Sequence, residues 1–180
     1  IALVFSNVHV IDEIGQYLYS HYNKVPKNKR DLIKALFLGE ITMNTPTIVA
    51  KRRAIQDIGG FKEDLPLRED HFFLMEFAEK YQVYHISKPL VKRRKSEISM
   101  SVIIDVDKIL DLNLPFIEKS IEKFPYLKKY EPVVQSRVYS TIGKNFWKNK
   151  ESRKGIKFMF KSIRLQSLNW RNYFFLLVMI

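Results

Sequence analysis

Two adjacent carboxylates, Glu69 and Asp70, are the side chains of this chain best suited to acid–base chemistry. They stand at the predicted start of a helix, where the helix dipole favours the ionised form of a carboxylate. An ionised carboxylate in a cleft can accept a proton from a hydroxyl group as that hydroxyl attacks a substrate. Asp and Glu are also common at helix starts, so the pair taken alone favours a capping role.

A glycine pair and an arginine pair lie on either side of these carboxylates. Gly59 and Gly60 precede Phe61, and two glycines permit positive φ angles and let a ligand approach the backbone closely. Taken alone, they are typical of a helix C-cap and turn. Arg93 and Arg94 belong to a run of four basic residues, and a guanidinium group can bind two phosphate oxygens at once.

Histidine and cysteine usage excludes several kinds of site. The chain has no Cys, so disulfides, thiolate nucleophiles and Cys-ligated zinc are excluded, which fits a reducing compartment. Its four His residues include no pair at the i, i+4 spacing of a helical zinc motif. His71 directly follows Asp70, but adjacent positions on a helix point in different directions, which favours a half-buried structural role for this ring.

Strands and helices alternate in the predicted structure of the first part. Alternating apolar residues predict a hairpin from 2–11 and 16–22, and helical spacing predicts a helix over 30–38 that stops at Gly39. We expect a strand over 41–50 interrupted at Pro46, a helix over 51–58, and a helix starting near Glu69. Two short strands, 82–86 and 89–93, follow.

Only helices are predicted in the second part. Helical spacing indicates segments at 105–124, 133–147, 152–165 and 170–180, and Pro115 should kink or divide the first of them. Asp105 and Asp107 form an Asp-x-Asp sequence that we interpret as the start of that helix. A boundary near residue 102 therefore separates a mixed region, 1–101, from a basic helical region, 102–180.

The positive charge belongs almost wholly to the second half. The 180 residues carry a net charge of +12, with 12 basic and 11 acidic residues in 1–90 against 19 and 8 in 91–180. An apolar content of 46% is that of a globular domain and excludes a disordered chain. The asymmetry indicates an anionic partner: nucleic acid, an acidic lipid surface or a phosphorylated ligand.

The order of these motifs resembles the C-terminal half of the GT-A catalytic domain of family-2-type glycosyltransferases. The resemblance covers roughly residues 1–101, and the spacing from Gly-Gly-Phe to Glu-Asp is its most specific part. The matching residues are Pro46, Arg52 or Arg53, Gly59-Gly60-Phe61, Glu69-Asp70, Lys88-Pro89-Leu90-Val91, Arg94 and Ile98-Ser99. The resemblance implies an α/β fold, a partial GT-A mixed sheet with flanking helices followed by an α-helical C-terminal region.

The resemblance also implies an activity: inverting transfer of a sugar from a nucleotide-diphosphate donor to a hydroxyl of a saccharide or lipid-linked acceptor, in the synthesis of surface glycans or polysaccharides. Asp70 would be the general base, with Glu69 helping to position the acceptor or Asp70. The implied acceptor-binding residues are Thr45, Gly59, Gly60 and Phe61, and the implied diphosphate-binding residues are Arg93 and Arg94. Mg²⁺ or Mn²⁺ is expected as cofactor, with its ligands outside this chain, because the Asp-x-Asp that binds the metal in these enzymes belongs to a preceding nucleotide-binding half. Where many relatives carry a His two residues after the strand Arg, this chain has Ser96.

We therefore treat the chain as the acceptor-side half of a glycosyltransferase, 1–101, followed by the basic helical region, and expect it to be inactive alone. Two alternatives stay open: a non-enzymatic basic module that binds an anionic membrane or nucleic acid, and an inactive truncated relative. No RNA-binding signature or zinc finger supports the nucleic-acid version. The helix over 152–165 is basic and amphipathic, which favours peripheral contact with an anionic membrane, so we expect a cytoplasmic location that includes the inner face of the cell membrane.

Overall fold

The chain forms two compact units, residues 1–103 and 104–180. The structure is a computed structural model that describes residues 1–96 and 105–179, so Ile98 and Ser99 of the glycosyltransferase-like pattern lie outside the described residues. The chain is of the mixed α/β class, as expected. The division between the units lies two residues from the boundary expected at 101/102.

A four-stranded mixed sheet forms the centre of the first unit. Strand β1, Leu3–Ile11, pairs in parallel with β4, Val83–Arg94, along its whole length. It pairs in antiparallel fashion with β2, Tyr17–His21, near its end and with β3, Val49–Ala50, near its start. Apolar side chains of β1 fill the core because this central strand has neighbours along both edges.

Within residues 1–96 the first unit has three helices. Helix α1 spans Lys29–Leu38; its N-cap residue Asn28 accepts hydrogen bonds from the N–H groups of Arg30 and Asp31. Helix α2 spans Arg52–Asp57, and α3 spans Glu69–Lys80. Helix α1 ends as predicted at Gly39, which has a φ of 67°. Helix α3 buries Phe72–Met75 and Phe77–Ala78.

Two strand predictions are wrong in detail. Residues 41–48 form no strand; Thr45–Thr47 is a 3₁₀ turn in which the Asn44 carbonyl accepts hydrogen bonds from both the N–H and the hydroxyl of Thr47. The two expected strands at 82–86 and 89–93 are one strand, β4, with two register shifts around Pro89. At these shifts the Asn7 side-chain amide donates to the Ser87 carbonyl, at 2.7 Å, and so links β4 to β1 beside Pro89, which has no N–H for the ladder.

The second unit consists of helices. The sequence Val106–Lys108 forms a 3₁₀ turn that leads into α4, Ile109–Lys123, and Asp105 caps it by accepting a hydrogen bond from the Asp107 N–H. A further 3₁₀ segment, Pro125–Tyr130, precedes α5, Glu131–Lys148; α6 spans Ser152–Leu165 and α7 spans Trp170–Met179. Pro115 lies inside α4 without dividing it. The missing N–H deprives only the Asp111 carbonyl of its intrahelical hydrogen bond, which a single helix tolerates.

The core of this unit lies between α4, α5 and α6. It centres on Ile109, Val138, Ile142 and Phe146, with Phe158 packed against it. Within residues 1–96 and 105–179, no helix combines the length and the apolar composition that crossing a membrane requires.

Candidate active site

Asp70 is held in the first turn of α3 by its neighbour His71. Its Oδ1 accepts hydrogen bonds from the His71 N–H, at 2.7 Å, and from the ring Nδ1, at 2.9 Å. The expectation that the two side chains point apart is wrong, because Nδ1 is the ring nitrogen nearest the backbone and reaches the same oxygen as the N–H. Both contacts end on Oδ1, which leaves Oδ2 outside this arrangement.

These contacts keep the half-buried carboxylate of Asp70 ionised. Burial raises its pKa, but the hydrogen bonds from His71 and the electrostatic effects of His71 and Arg68 outweigh burial, so the pKa lies below its ordinary value. The N-cap position belongs to Arg68, which makes no side-chain cap, and Asp70 lies inside the first turn. Asp70 is therefore an ionised carboxylate at a fixed position near neutral pH.

Arg68 fixes the start of α3 against the end of α1. Its Nη2 donates to the carbonyls of Leu36 and Phe37, both at 3.1 Å, in the last turn of α1. Its backbone has a φ of 62°, a left-handed conformation that costs a non-glycine residue about 1 kcal/mol. The two side-chain hydrogen bonds offset that cost and fix the start of α3, and with it the positions of Glu69 and Asp70.

The glycine turn is attached to the same helix. Gly59 and Gly60 have φ angles of 78° and 69°, so both use the conformation that glycine permits. Phe61 stacks on Phe73 of α3 with ring centroids 4.4 Å apart, and the Lys62 ammonium lies 3.1 Å from Glu76. Phe73 is one helical turn beyond Asp70, so the structure brings the Gly-Gly-Phe turn and the carboxylate to one region of α3.

The other expected site residues have different neighbours. Arg94 donates from Nη1 to the backbone carbonyls of Asp12, at 3.0 Å, and Glu13, and so closes the turn between β1 and β2. Arg93 is exposed and pairs in register with Val10. Thr45 is exposed in its 3₁₀ turn, and among the described residues no hydrogen bond links it to α3.

Two surface cavities of the first unit are lined by other residues. One, of about 490 Å³, is lined by residues that include Lys51, Arg53, Asp57 and Tyr81. The other, of about 760 Å³, lies between the 25–32 segment and the start of β4. None of the residues expected to bind acceptor or diphosphate or to act as the base lines either cavity. The candidate site is therefore Asp70, the Gly59–Phe61 turn and the residues that hold them in place.

Residues 1–96 and 105–179 contain no group of three His, Asp or Glu side chains placed to hold a metal ion. Asp105 caps a 3₁₀ turn and is used in secondary structure. The ligands of the expected Mg²⁺ or Mn²⁺ stay a prediction for residues outside these ranges.

Sequence reasoning missed the two residues that support Asp70. Arg68 had no recognisable signal, because neither its left-handed φ nor its hydrogen bonds to α1 can be read from neighbouring residues. The position of His71 directly after Asp70 was such a signal, but the general geometry of a helix argued against a contact between adjacent side chains. Comparison of the chain with protein-family models and with characterised proteins finds no match.

Proposed function

We propose that this chain is the acceptor-side half of an inverting, nucleotide-sugar-dependent glycosyltransferase with a GT-A fold. The observation that carries the proposal is the arrangement around α3. An ionised Asp70, fixed by His71 and Arg68, shares a helix with the Gly59–Phe61 turn. A base for a hydroxyl acceptor beside a turn that a sugar can approach is what the proposed reaction needs.

In the proposed reaction, Asp70 accepts the proton of the acceptor hydroxyl as the hydroxyl oxygen attacks the anomeric carbon of the donor. The new carbon–oxygen bond forms as the bond to the nucleotide diphosphate breaks, and the diphosphate leaves with the bonding electron pair. Attack opposite the leaving group inverts the anomeric centre. The lowered pKa of Asp70 makes the carboxylate available in its basic form without a prior deprotonation step.

The remaining residues have supporting roles in this proposal. Glu69 precedes the base and positions the acceptor; Gly59, Gly60 and Phe61 line the acceptor side. A Cβ at Gly60 would meet no atom within 4 Å, which leaves space for a ligand against the backbone. Arg93 and Arg94 lie at the end of β4, where the exposed guanidinium of Arg93 would bind diphosphate oxygens. Arg94, whose Nη1 is bonded to the carbonyls of Asp12 and Glu13, would use its other nitrogens.

The donor is a nucleotide-diphosphate sugar, and the acceptor is a saccharide or a lipid-linked saccharide of a surface glycan. A divalent metal, held outside the described residues, would supply charge stabilisation to the leaving diphosphate. The proposed location is the cytoplasmic side of the cell membrane, where such donors and acceptors meet.

The decisive experiment replaces Asp70 by Asn in the complete protein. Asn has the size of Asp but cannot accept the proton, so we expect transfer to fall by about 10²- to 10⁴-fold. Nucleotide-sugar binding should change little, because the base acts on the acceptor. The measurements are nucleotide-diphosphate release across a panel of donors and calorimetric binding of the donor that is used.

Asp31→Asn is the matched control. Asp31 is an exposed carboxylate in the first turn of α1, so its replacement removes the same charge from the first turn of another helix. We expect wild-type transfer in this variant. Wild-type transfer in Asp70→Asn would contradict the assignment of the base, and absence of transfer with every donor in the wild-type protein would contradict the proposed function itself.

A further inference from the structure

Helix α7 turns its large apolar side chains outwards. Trp170, Phe174 and Leu177 are 68%, 56% and 75% exposed, and with the exposed Tyr173 they recur at the three- and four-residue spacing of one helical face. We call these four residues the α7 apolar face. Leu168, just before the helix, is also exposed. A water-facing helix normally has the opposite pattern, so this face indicates an apolar contact.

The inner face of α7 is held by a polar network instead. The buried Asn172 donates from Nδ2 to Ser162 Oγ of α6, at 2.8 Å, and accepts from Ser140 Oγ of α5, at 3.1 Å. Ser136 and Ser162 each donate a hydrogen bond to the other's carbonyl. These contacts determine which side of α7 faces the helices, and they leave the α7 apolar face outside.

Basic side chains flank this face. Between residues 152 and 179 the chain has six basic residues and no acidic one. Arg171 lies beside Trp170, and the ammonium of Lys144 lies 3.8 Å from the ring centroid of Phe175 on α7. Burial lowers the pKa of Lys144, and repulsion from Arg171 and Lys148 lowers it further. These three cations of α5 and α7 are therefore close enough to interact.

We propose that the α7 apolar face binds the interface of an anionic lipid membrane, with Trp170, Phe174 and Leu177 inserted among the acyl chains and Arg171, Lys144 and Lys148 near the headgroups. Aromatic and aliphatic residues flanked by Lys and Arg are the composition of a helix that lies in the membrane plane. The exposed face of α6 adds Arg153, Lys157, Lys161 and Arg164 together with Phe160. An anionic surface matches this charge, whereas a second copy of the same basic unit would be repelled. The inference does not depend on the proposed glycosyltransferase activity.

Vesicle flotation with the complete protein tests the proposal. We expect binding to vesicles of 70% phosphatidylcholine and 30% phosphatidylglycerol, and at least about tenfold weaker binding to pure phosphatidylcholine. Raising the salt concentration from 0.05 to 0.5 M should weaken binding by about tenfold or more, since the headgroup attraction is screened. Equal binding to both vesicle types would overturn the proposal.

Variants of exposed residues separate insertion from general attraction. Phe174→Ser with Leu177→Ser should reduce binding by about tenfold or more without unfolding the protein, because both side chains are exposed. Ile14→Ser, which replaces an exposed apolar residue in the β1–β2 turn, is the matched control and should bind as the wild type. Unchanged binding of the double variant would exclude insertion of this face.

Tryptophan fluorescence gives an independent reading of insertion. The chain has two Trp residues, so Trp147→Phe leaves Trp170 as the single reporter. Its emission should shift to shorter wavelength with anionic vesicles and be quenched by brominated acyl chains. An emission that is already blue-shifted without vesicles, together with concentration-dependent self-association in sedimentation velocity, would assign the face to a second copy and overturn the proposal.

Discussion

At the scale of single residues, the proposed reaction depends on how one carboxylate is held. Asp70 receives two hydrogen bonds from the residue that follows it, and Arg68 attaches the preceding backbone to α1. The proposed base is thus fixed from both sides along the chain. His71 is a positioning residue in this scheme, since its described contact is with Asp70 Oδ1 and not with a reacting atom.

Replacing His71 by Leu should impair Asp70 in a specific way. The hydrogen bond from Nδ1 helps to lower the pKa of Asp70, so its loss raises that pKa. The acidic limb of the pH profile of kcat/KM should move to higher pH, because Asp70 becomes protonated at a higher pH. We expect kcat to fall about ten- to a hundredfold, as for the loss of a charge-assisted hydrogen bond worth about 1.5–3 kcal/mol, with little change in the KM of the donor.

His71→Asn is the matched variant, since its amide can donate a hydrogen bond from nearly the position of Nδ1. It should recover part of kcat and return the acidic limb towards that of the wild type. Steady-state rates measured from pH 3 to pH 8, a range that includes the ordinary pKa of an Asp side chain, test both variants. An unshifted pH profile in His71→Leu, with lower thermal stability alone, would show that His71 only supports the fold.

At the scale of elements, α5 and α6 approach each other closely at two glycines. A Cβ added to Gly143 would lie 2.9 Å from the Gly155 carbonyl oxygen, and a Cβ added to Gly155 would lie 2.9 Å from the Gly143 oxygen. Neither oxygen can move aside, because both belong to helix backbone. This crossing sets the spacing of the helices that hold Asn172 and thereby the orientation of α7.

Gly143→Ala should destabilise the second unit although Ala is the better helix former. In an open helix the change would stabilise by about 1 kcal/mol. Here the methyl group forces the two backbones apart, and we expect a loss of about 1–3 kcal/mol in the free energy of unfolding. Urea unfolding followed by Trp fluorescence measures it, since both Trp residues lie in the second unit.

Thr141→Ala, on the exposed side of the same helix, controls for helix propensity. This variant loses a hydroxyl that donates a hydrogen bond to the Arg137 carbonyl, and we expect its free energy of unfolding to change by less than about 0.5 kcal/mol. If Gly143→Ala raised the free energy of unfolding, as the replacement of an exposed helix glycine by Ala does, the close crossing of α5 and α6 would not exist in solution.

At the scale of the whole molecule, the net charge of +12 is compatible with any polyanion. The side chains that neighbour the basic residues distinguish between a lipid surface and nucleic acid as the partner. Exposed Trp and Phe rings among basic residues suit both base stacking and insertion into a membrane interface, but the exposed aliphatic side chain of Leu177 on the same face suits only acyl chains. The charge pattern thus favours a lipid surface.

Binding to nucleic acid should accordingly be non-specific. For duplex DNA and RNA oligonucleotides of several sequences, we expect dissociation constants of about 10⁻⁴–10⁻⁶ M near physiological salt and a steep loss of affinity as salt rises. Fluorescence anisotropy titrations at two or more salt concentrations measure both. A strong preference for one sequence would favour the alternative in which the helical region is a nucleic-acid-binding module.

Local sequence patterns determined most of the elements. Alternation predicted the β1–β2 hairpin, and Gly39 predicted the end of α1, because a left-handed glycine acts over a few residues. The helices of the second unit followed from apolar spacing in the same way. The sequence also indicated Asp70 and the Gly59–Gly60 turn as candidates, since residue type and position within an element are local properties.

Only the tertiary structure decided how these parts meet. The left-handed Arg68, the stacking of Phe61 on Phe73, and the joining of two expected strands into β4 all depend on residues distant in sequence. Local sequence patterns likewise do not show that the α7 apolar face points outwards. Apolar spacing alone predicts which side chains share a helical face, but the buried hydrogen bonds of Asn172 decide that this face points to solvent, because an unsatisfied amide in the core would cost more than exposed apolar surface.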